Sequence, residues 1–195
     1  MRETLRTGWE WFRERAEGTH TRMWLAALSF TESFIFIIPP DPLLAGIMLS
    51  GSRRWIYYSV FTTLASLAGA LVGYVLAAGF FSVFGAPVIN FYGLEKELGT
   101  VQVLFNDNAL IALLFAAISP IPFKLFVLTA GFLHTPLWML VLATIVGRGF
   151  RYGLVAYATY RWGEDALSFV KRYSTHITVA TVLCVIVFFV YLLLK

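Results

Sequence analysis

Charge is scarce in this chain. Asp, Glu, Lys and Arg make up 13% of the residues, against about 25% in a typical soluble domain. Hydrophobic residues make up 59%, and the mean hydropathy is +0.76. So little polar surface cannot face water on all sides, which excludes an ordinary soluble domain; the 195 residues suffice for one domain. Cysteine is nearly absent. Cys184 stands alone in an apolar stretch, which excludes an internal disulfide and makes a small buried hydrophobe the plain reading. His20, His134 and His176 are scattered without zinc-ligand spacing. There is no GxSxG elbow and no GxxxxGK(S/T) phosphate loop. The sequence therefore predicts no enzyme, no metal and no cofactor. Its basic residues flank apolar stretches instead of alternating with exposed aromatics, which argues against nucleic-acid binding. Residues 1–22 are highly charged and show no short apolar core closed by small residues, so no cleavable signal is expected.

What the chain does have is apolar sequence with punctuation. In residues 3–17, Leu5, Trp9, Phe12 and Ala16 recur at helical spacing opposite Arg and Glu. This amphipathic helix, assigned to a segment 1–22, suits the membrane interface or a polar cap on the protein. Residues 23–50 are apolar but interrupted by Pro39, Pro40 and Pro42 around Asp41. These prolines remove backbone donors and break any helix. Each half is too short to span about 30 Å of hydrocarbon, so a re-entrant hairpin is expected, its irregular backbone shielded by protein or facing a wet cavity. Residues 55–84 predict a spanning helix, with Ala65, Gly69, Gly73 and Ala77 on one stripe for close helix packing. Residues 85–108 are less apolar; Leu94, Leu98, Val101 and Phe105 suggest a short helix at a membrane surface. Residues 109–133 carry a second break at Ser119-Pro120-Ile121-Pro122, followed by Lys124. Spanning helices are expected again over 137–160 and 175–194, the former bracketed by Trp138 and Trp162.

The punctuation repeats. At an offset of eighty, Pro40 falls on Pro120, Pro42 on Pro122, Gly51 on Gly131, Gly69 on Gly149 and Gly73 on Gly153. Loop charges orient the two units. Arg2, Arg6, Arg13, Arg15, Arg22, Arg53, Arg54, Arg161, Lys171 and Arg172 all fall on one side if the units are inverted, whereas the region between the units has only Lys96. The positive-inside rule puts that basic side, with the N-terminus, in the cytoplasm. The predicted fold is thus an all-α integral membrane protein. An inverted repeat of a re-entrant helical hairpin plus a long transmembrane helix (23–84 and 109–160) forms a domain over 23–160. An amphipathic N-terminal helix precedes it and a C-terminal transmembrane helix (175–195) follows. Such repeats place a transport site where the broken helices meet.

Five ionisable residues lie in the apolar segments, and their signs divide between the units. Glu32 and Asp41 belong to the first, whereas Lys124, Arg148 and Arg151 belong to the second. Each is costly in a bilayer, by at least about 2.5–3.5 kcal/mol on insertion scales, so each needs a partner, water or a ligand. Arg148 and Arg151 are three apart and share a helix face. Structural ion pairing is one reading. The other is an anion site, in which Arg148, Arg151 and Lys124 bind a phosphate and Glu32 and Asp41 pair with them or carry protons. Asp41 also fits a helix cap.

These residues carry a resemblance. Glu32-Ser33-Phe34, Ile38-Pro39-Pro40-Asp41, Gly69-x-x-x-Gly73-Tyr74, Phe91-Tyr92-Gly93-Leu94-Glu95, Ser119-Pro120-Ile121-Pro122-Phe123-Lys124, Ala130-Gly131 and Gly147-Arg148-Gly149-x-Arg151 resemble the DedA superfamily, also called the SNARE-associated or VTT domain family, and its YqaA-type branch. The resemblance covers roughly residues 23–160 and implies a multi-pass bacterial inner-membrane protein with two opposed re-entrant hairpins. It implies movement of lipids such as undecaprenyl phosphate or a phospholipid between leaflets, with Glu32, Asp41, Lys124, Arg148 and Arg151 as functional positions. The leading expectation is a flippase- or scramblase-like transporter whose partners are lipids with anionic headgroups, with proton coupling and homo-oligomers as further options. Competing readings are a proton- or cation-coupled transporter of small solutes and a non-transporting membrane scaffold.

Overall fold

The computed structural model describes residues 16–35, 38–85, 95–119, 122–163 and 165. Among them every regular element is helical. Pro120, the spanning helix expected over 175–194 and nearly all of the amphipathic helix expected over 3–17 lie outside the described residues.

Proline and glycine set the helix ends. Helix α1, Thr19–Glu32, closes in a tight turn in which the Ile35 N–H donates to the Thr31 carbonyl at 2.8 Å. Pro39 and Pro40 follow, and α2, Asp41–Leu49, restarts with Pro42 in its first turn, where a missing N–H is no loss. Past α2, Gly51 takes φ 104°, a backbone that side chains resist. Helix α3, Trp55–Phe80, continues into a π turn at Phe81–Gly85. Helix α4, Glu95–Ile118, ends at the second break, and α5, Phe123–Phe132, starts directly after Pro122. Helix α6, Leu137–Trp162, contains a π turn at Thr144–Arg148.

Two of these helical runs, Trp55–Phe84 and Leu137–Trp162, are long and apolar enough to cross a membrane. The 26 residues of α6 reach about 39 Å at about 1.5 Å per residue, more than the roughly 30 Å of hydrocarbon. Both expose large apolar side chains, and Trp138 and Trp162 stand exposed near opposite ends of α6.

Three sequence expectations need correcting. The separate surface helix expected within 85–108 is instead the first part of α4, which runs unbroken from Glu95. The polar triplet Asn106-Asp107-Asn108 marked a change of surroundings, not a helix end, because Asn and Asp cost a helix only a fraction of a kcal/mol each. Thr135 donates its hydroxyl to the Asn106 side-chain oxygen at 2.7 Å. The offset also drifts. Trp55 and Leu137, which open the two long helices, are 82 positions apart. By its place just after the helix cap, the counterpart of Gly51 is not Gly131 but His134, 83 positions on, at φ 53° after α5. Gly131 lies inside α5 against the Tyr74 carbonyl of α3.

The drift also redistributes the packing glycines. A methyl added at Gly69 would strike the backbone carbonyl of Phe30, and one at Gly73 would lie 2.6 Å from Phe34 Cβ. Gly149 makes only ordinary contact with Thr63, 3.8 Å away. The packing role expected of Gly153 fails among the described residues, where a methyl would meet open space. On the second long helix the tight approach falls to Gly147, where an added methyl would lie 2.6 Å from Ala117 Cβ.

Packing follows one rule in both units. The first helix of each unit packs on that unit's last helix, α1 on α3 and α4 on the first half of α6. The second crosses over: α2 packs on the second half of α6, and α5 packs on α3. Hydroxyls stitch α1 to α3. Ser29 Oγ donates to the Thr62 carbonyl at 2.7 Å, and the hydroxyls of Ser33 and Ser66 share a 2.9 Å hydrogen bond. Two buried apolar clusters result, one around Leu113, Phe123 and Val127, the other around Leu44, Tyr58 and Tyr152.

Candidate functional site

The crossover brings the two breaks to α6. Glu32 ends α1 just before the first break, and Asp41 opens α2 just after it. Arg148 closes the π turn of α6, and Arg151 follows in the next turn. The wider π turn reorients side chains relative to a regular helix, a feature common at functional sites.

Acids of the first unit meet bases of the second. Arg148 donates Nη1 to Glu32 Oε2 at 2.7 Å and Nη2 to Oε1 at 3.0 Å, a fork-to-fork pair. Nη1 also donates to the Tyr152 hydroxyl at 2.9 Å. The guanidinium lies 4.7 Å from the centre of the Phe123 ring and 5.8 Å from that of Tyr152, close enough for attraction to both aromatic faces. Phe123 belongs to one apolar cluster and Tyr152 to the other. Arg148 therefore sits between the two cores, with its side chain 1% exposed.

Arg151 is held more loosely. Its Nη2 donates to Asp41 Oδ2 at 2.5 Å and its Nη1 to the Ser119 carbonyl at 3.1 Å. Arg151 is 22% exposed and Asp41 17%. The other carboxylate oxygen, Asp41 Oδ1, is buried without a hydrogen-bond partner among the described residues, as is Arg148 Nε. The helix-cap reading of Asp41 does not hold. Pro40 occupies the cap position, and the Asp41 side chain reaches Arg151 instead.

Lys124, in the first turn of α5, donates Nζ to the Ile35 carbonyl at 3.4 Å. Each break thus offers a carbonyl from the end of its first helix to a cation, Ile35 to Lys124 and Ser119 to Arg151. Helix C-termini carry partial negative charge, so cations are favoured there. Of the break prolines, Pro40 is buried, whereas Pro39, Pro42 and Pro122 are exposed.

All five expected ionisable residues therefore lie at the two breaks or on the helix joining them. Sequence reasoning missed Tyr152, Phe123 and the two carbonyls. Tyr152 is four residues after Arg148, hence one turn along the same face, and that spacing was the available signal. Phe123 had no comparable signal.

The profile of the VTT domain family matches residues 38–161. The chain belongs to the VTT domain family. The matched stretch contains Asp41, Lys124, Arg148 and Arg151 and leaves out Glu32. A Haemophilus influenzae protein described as uncharacterized is 29% identical over 170 residues, covering 86% of this chain and 87% of that protein. A Histophilus somni homologue, also described as uncharacterized, is 27% identical over 172 residues and 88% of each chain. No solved structure matches. Membership of this family, together with two apolar helices of spanning length, makes the chain a helical membrane protein of the VTT type.

Proposed function

We propose that this VTT-domain protein moves a phosphate-bearing lipid headgroup between the leaflets of a bacterial inner membrane. In this reading α1–α2 and α4–α5 are re-entrant hairpins entering from opposite faces, with the N-terminus in the cytoplasm. The shared crossover packing of the two units supports that arrangement. The observation that carries the proposal is the pairing of Glu32 with Arg148 and Asp41 with Arg151 across the units. Cations suited to a phosphate gather where two broken helices end, and the acids serve as their resting counter-ions. A headgroup entering from either leaflet would exchange with a carboxylate, and the displaced carboxylate would take up a proton so that no charged group stands alone in the membrane.

Purified protein in liposomes should flip a fluorescent lipid phosphate from one leaflet to the other, and Glu32→Gln or Arg148→Ala should stop it. Unchanged flipping by both variants would refute the site. Movement of a soluble ion without lipid would favour the small-solute reading, and near-normal function after exchanging Glu32 and Arg148 would favour the scaffold.

A further inference from the structure

The two ion pairs are built differently, and the difference assigns them different work. Arg148 is 1% exposed, forked onto both oxygens of Glu32, bonded to the Tyr152 hydroxyl and flanked by the Phe123 ring. An incoming phosphate would have to displace a two-point contact and reach past two apolar cores. Arg151 is 22% exposed and gives Asp41 a single contact. Its other amino group is anchored on the Ser119 carbonyl, so Nη2 can change partner while Nη1 stays in place. Asp41 holds Arg151 through Oδ2 alone, and its buried Oδ1 lacks a partner. A single contact holds this carboxylate less firmly than the fork holds Glu32, which makes it the easier counter-ion to displace.

We propose that Glu32, Arg148 and Tyr152 form a fixed clamp joining the two units, and that Arg151 is the exchangeable anion contact, alternating between Asp41 and a phosphate group. The inference rests on the phosphate reading above and narrows its arginine contact from two residues to one. Arg148 and Tyr152 become positioning residues, and Asp41 becomes a competitor of the ligand. The shared chemistry is a phosphate group, whether on a lipid or free in solution.

The test is binding to the full chain in detergent, with dioctanoyl phosphatidic acid and inorganic phosphate as parallel probes. Asp41→Asn removes the competitor and should tighten binding about tenfold or more, whereas Arg151→Gln should weaken it by a similar factor. Tyr152→Phe should lower the unfolding temperature while leaving probe affinity within about twofold. Weaker or unchanged binding by Asp41→Asn would overturn the proposal. So would a loss of affinity in Tyr152→Phe as large as that in Arg151→Gln. The two probes keep the readings apart. If inorganic phosphate binds as well as the lipid and shows the same variant pattern, the division of work stands and the lipid reading falls. If lipid flipping is real but binding ignores Arg151→Gln, the lipid reading stands and the division of work falls.

Discussion

At the scale of single residues, Glu32 and Arg148 are an almost wholly buried pair, and such pairs are costly to break and cheap to replace. Removing one partner of a buried pair costs about 3–5 kcal/mol, because the other charge is left uncompensated, whereas replacing both by apolar residues is often neutral or stabilising. Glu32→Ala should therefore destabilise the protein by about that amount, and the double variant Glu32→Leu with Arg148→Met should recover most of it. Unfolding in detergent micelles checks both, and a double variant no more stable than Glu32→Ala would contradict the pairing. The sign and placement of the five ionisable residues were legible in the sequence, because charges inside apolar runs stand out. Which acid meets which base was not. Glu32 and Arg148 are 116 positions apart, and only the packing of α2 on α6 and of α1 on α3 brings these pairs together. Tyr152 was hidden for another reason: an aromatic residue in a membrane helix is ordinary, and its role depends on a hydroxyl aimed at one guanidinium.

At the scale of elements, the helix breaks could be read directly, since Pro39, Pro40, Pro42 and Pro122 act on the backbone itself. The glycines were read less well. The offset of eighty fits the prolines, but the long helices start 82 positions apart, so equal spacing in sequence does not mean equal contact in space. Gly69 should be the intolerant position. Gly69→Ala drives a methyl into the Phe30 carbonyl, an overpacking that costs about 1–3 kcal/mol. Gly149→Ala meets Thr63 only at 3.8 Å and should be neutral or stabilising by up to about 1 kcal/mol through helix propensity. Thermal unfolding of the two variants in the same detergent decides it, and equal losses would count against the α1–α3 approach. A helix near Glu95 was legible from Leu94, Leu98, Val101 and Phe105, but its continuation to Ile118 was not, because the polar triplet inside it resembles a boundary while costing the helix little.

At the scale of the whole molecule, the loop charges predict opposite orientations for the two units, and the crossover packing is compatible with it. Single cysteines at positions 53 and 96 should then be labelled from opposite faces of the membrane by an impermeant thiol reagent, in a background lacking Cys184. The two units share an order of helices and a pattern of packing, but their chemistry differs: Ser33 and Ser66 share a hydroxyl contact in one, whereas the other carries arginines on its long helix. The site is therefore complete only when both units are folded against each other. A double-variant cycle on lipid-phosphate flipping in proteoliposomes tests this most directly, with Asp41→Asn, Arg151→Gln and the two combined. Residues acting as one unit give non-additive losses, so each single variant should abolish most flipping and the combination should be no worse than either. Losses that multiply in the combination, or a single variant that flips at the wild-type rate, would contradict a shared site.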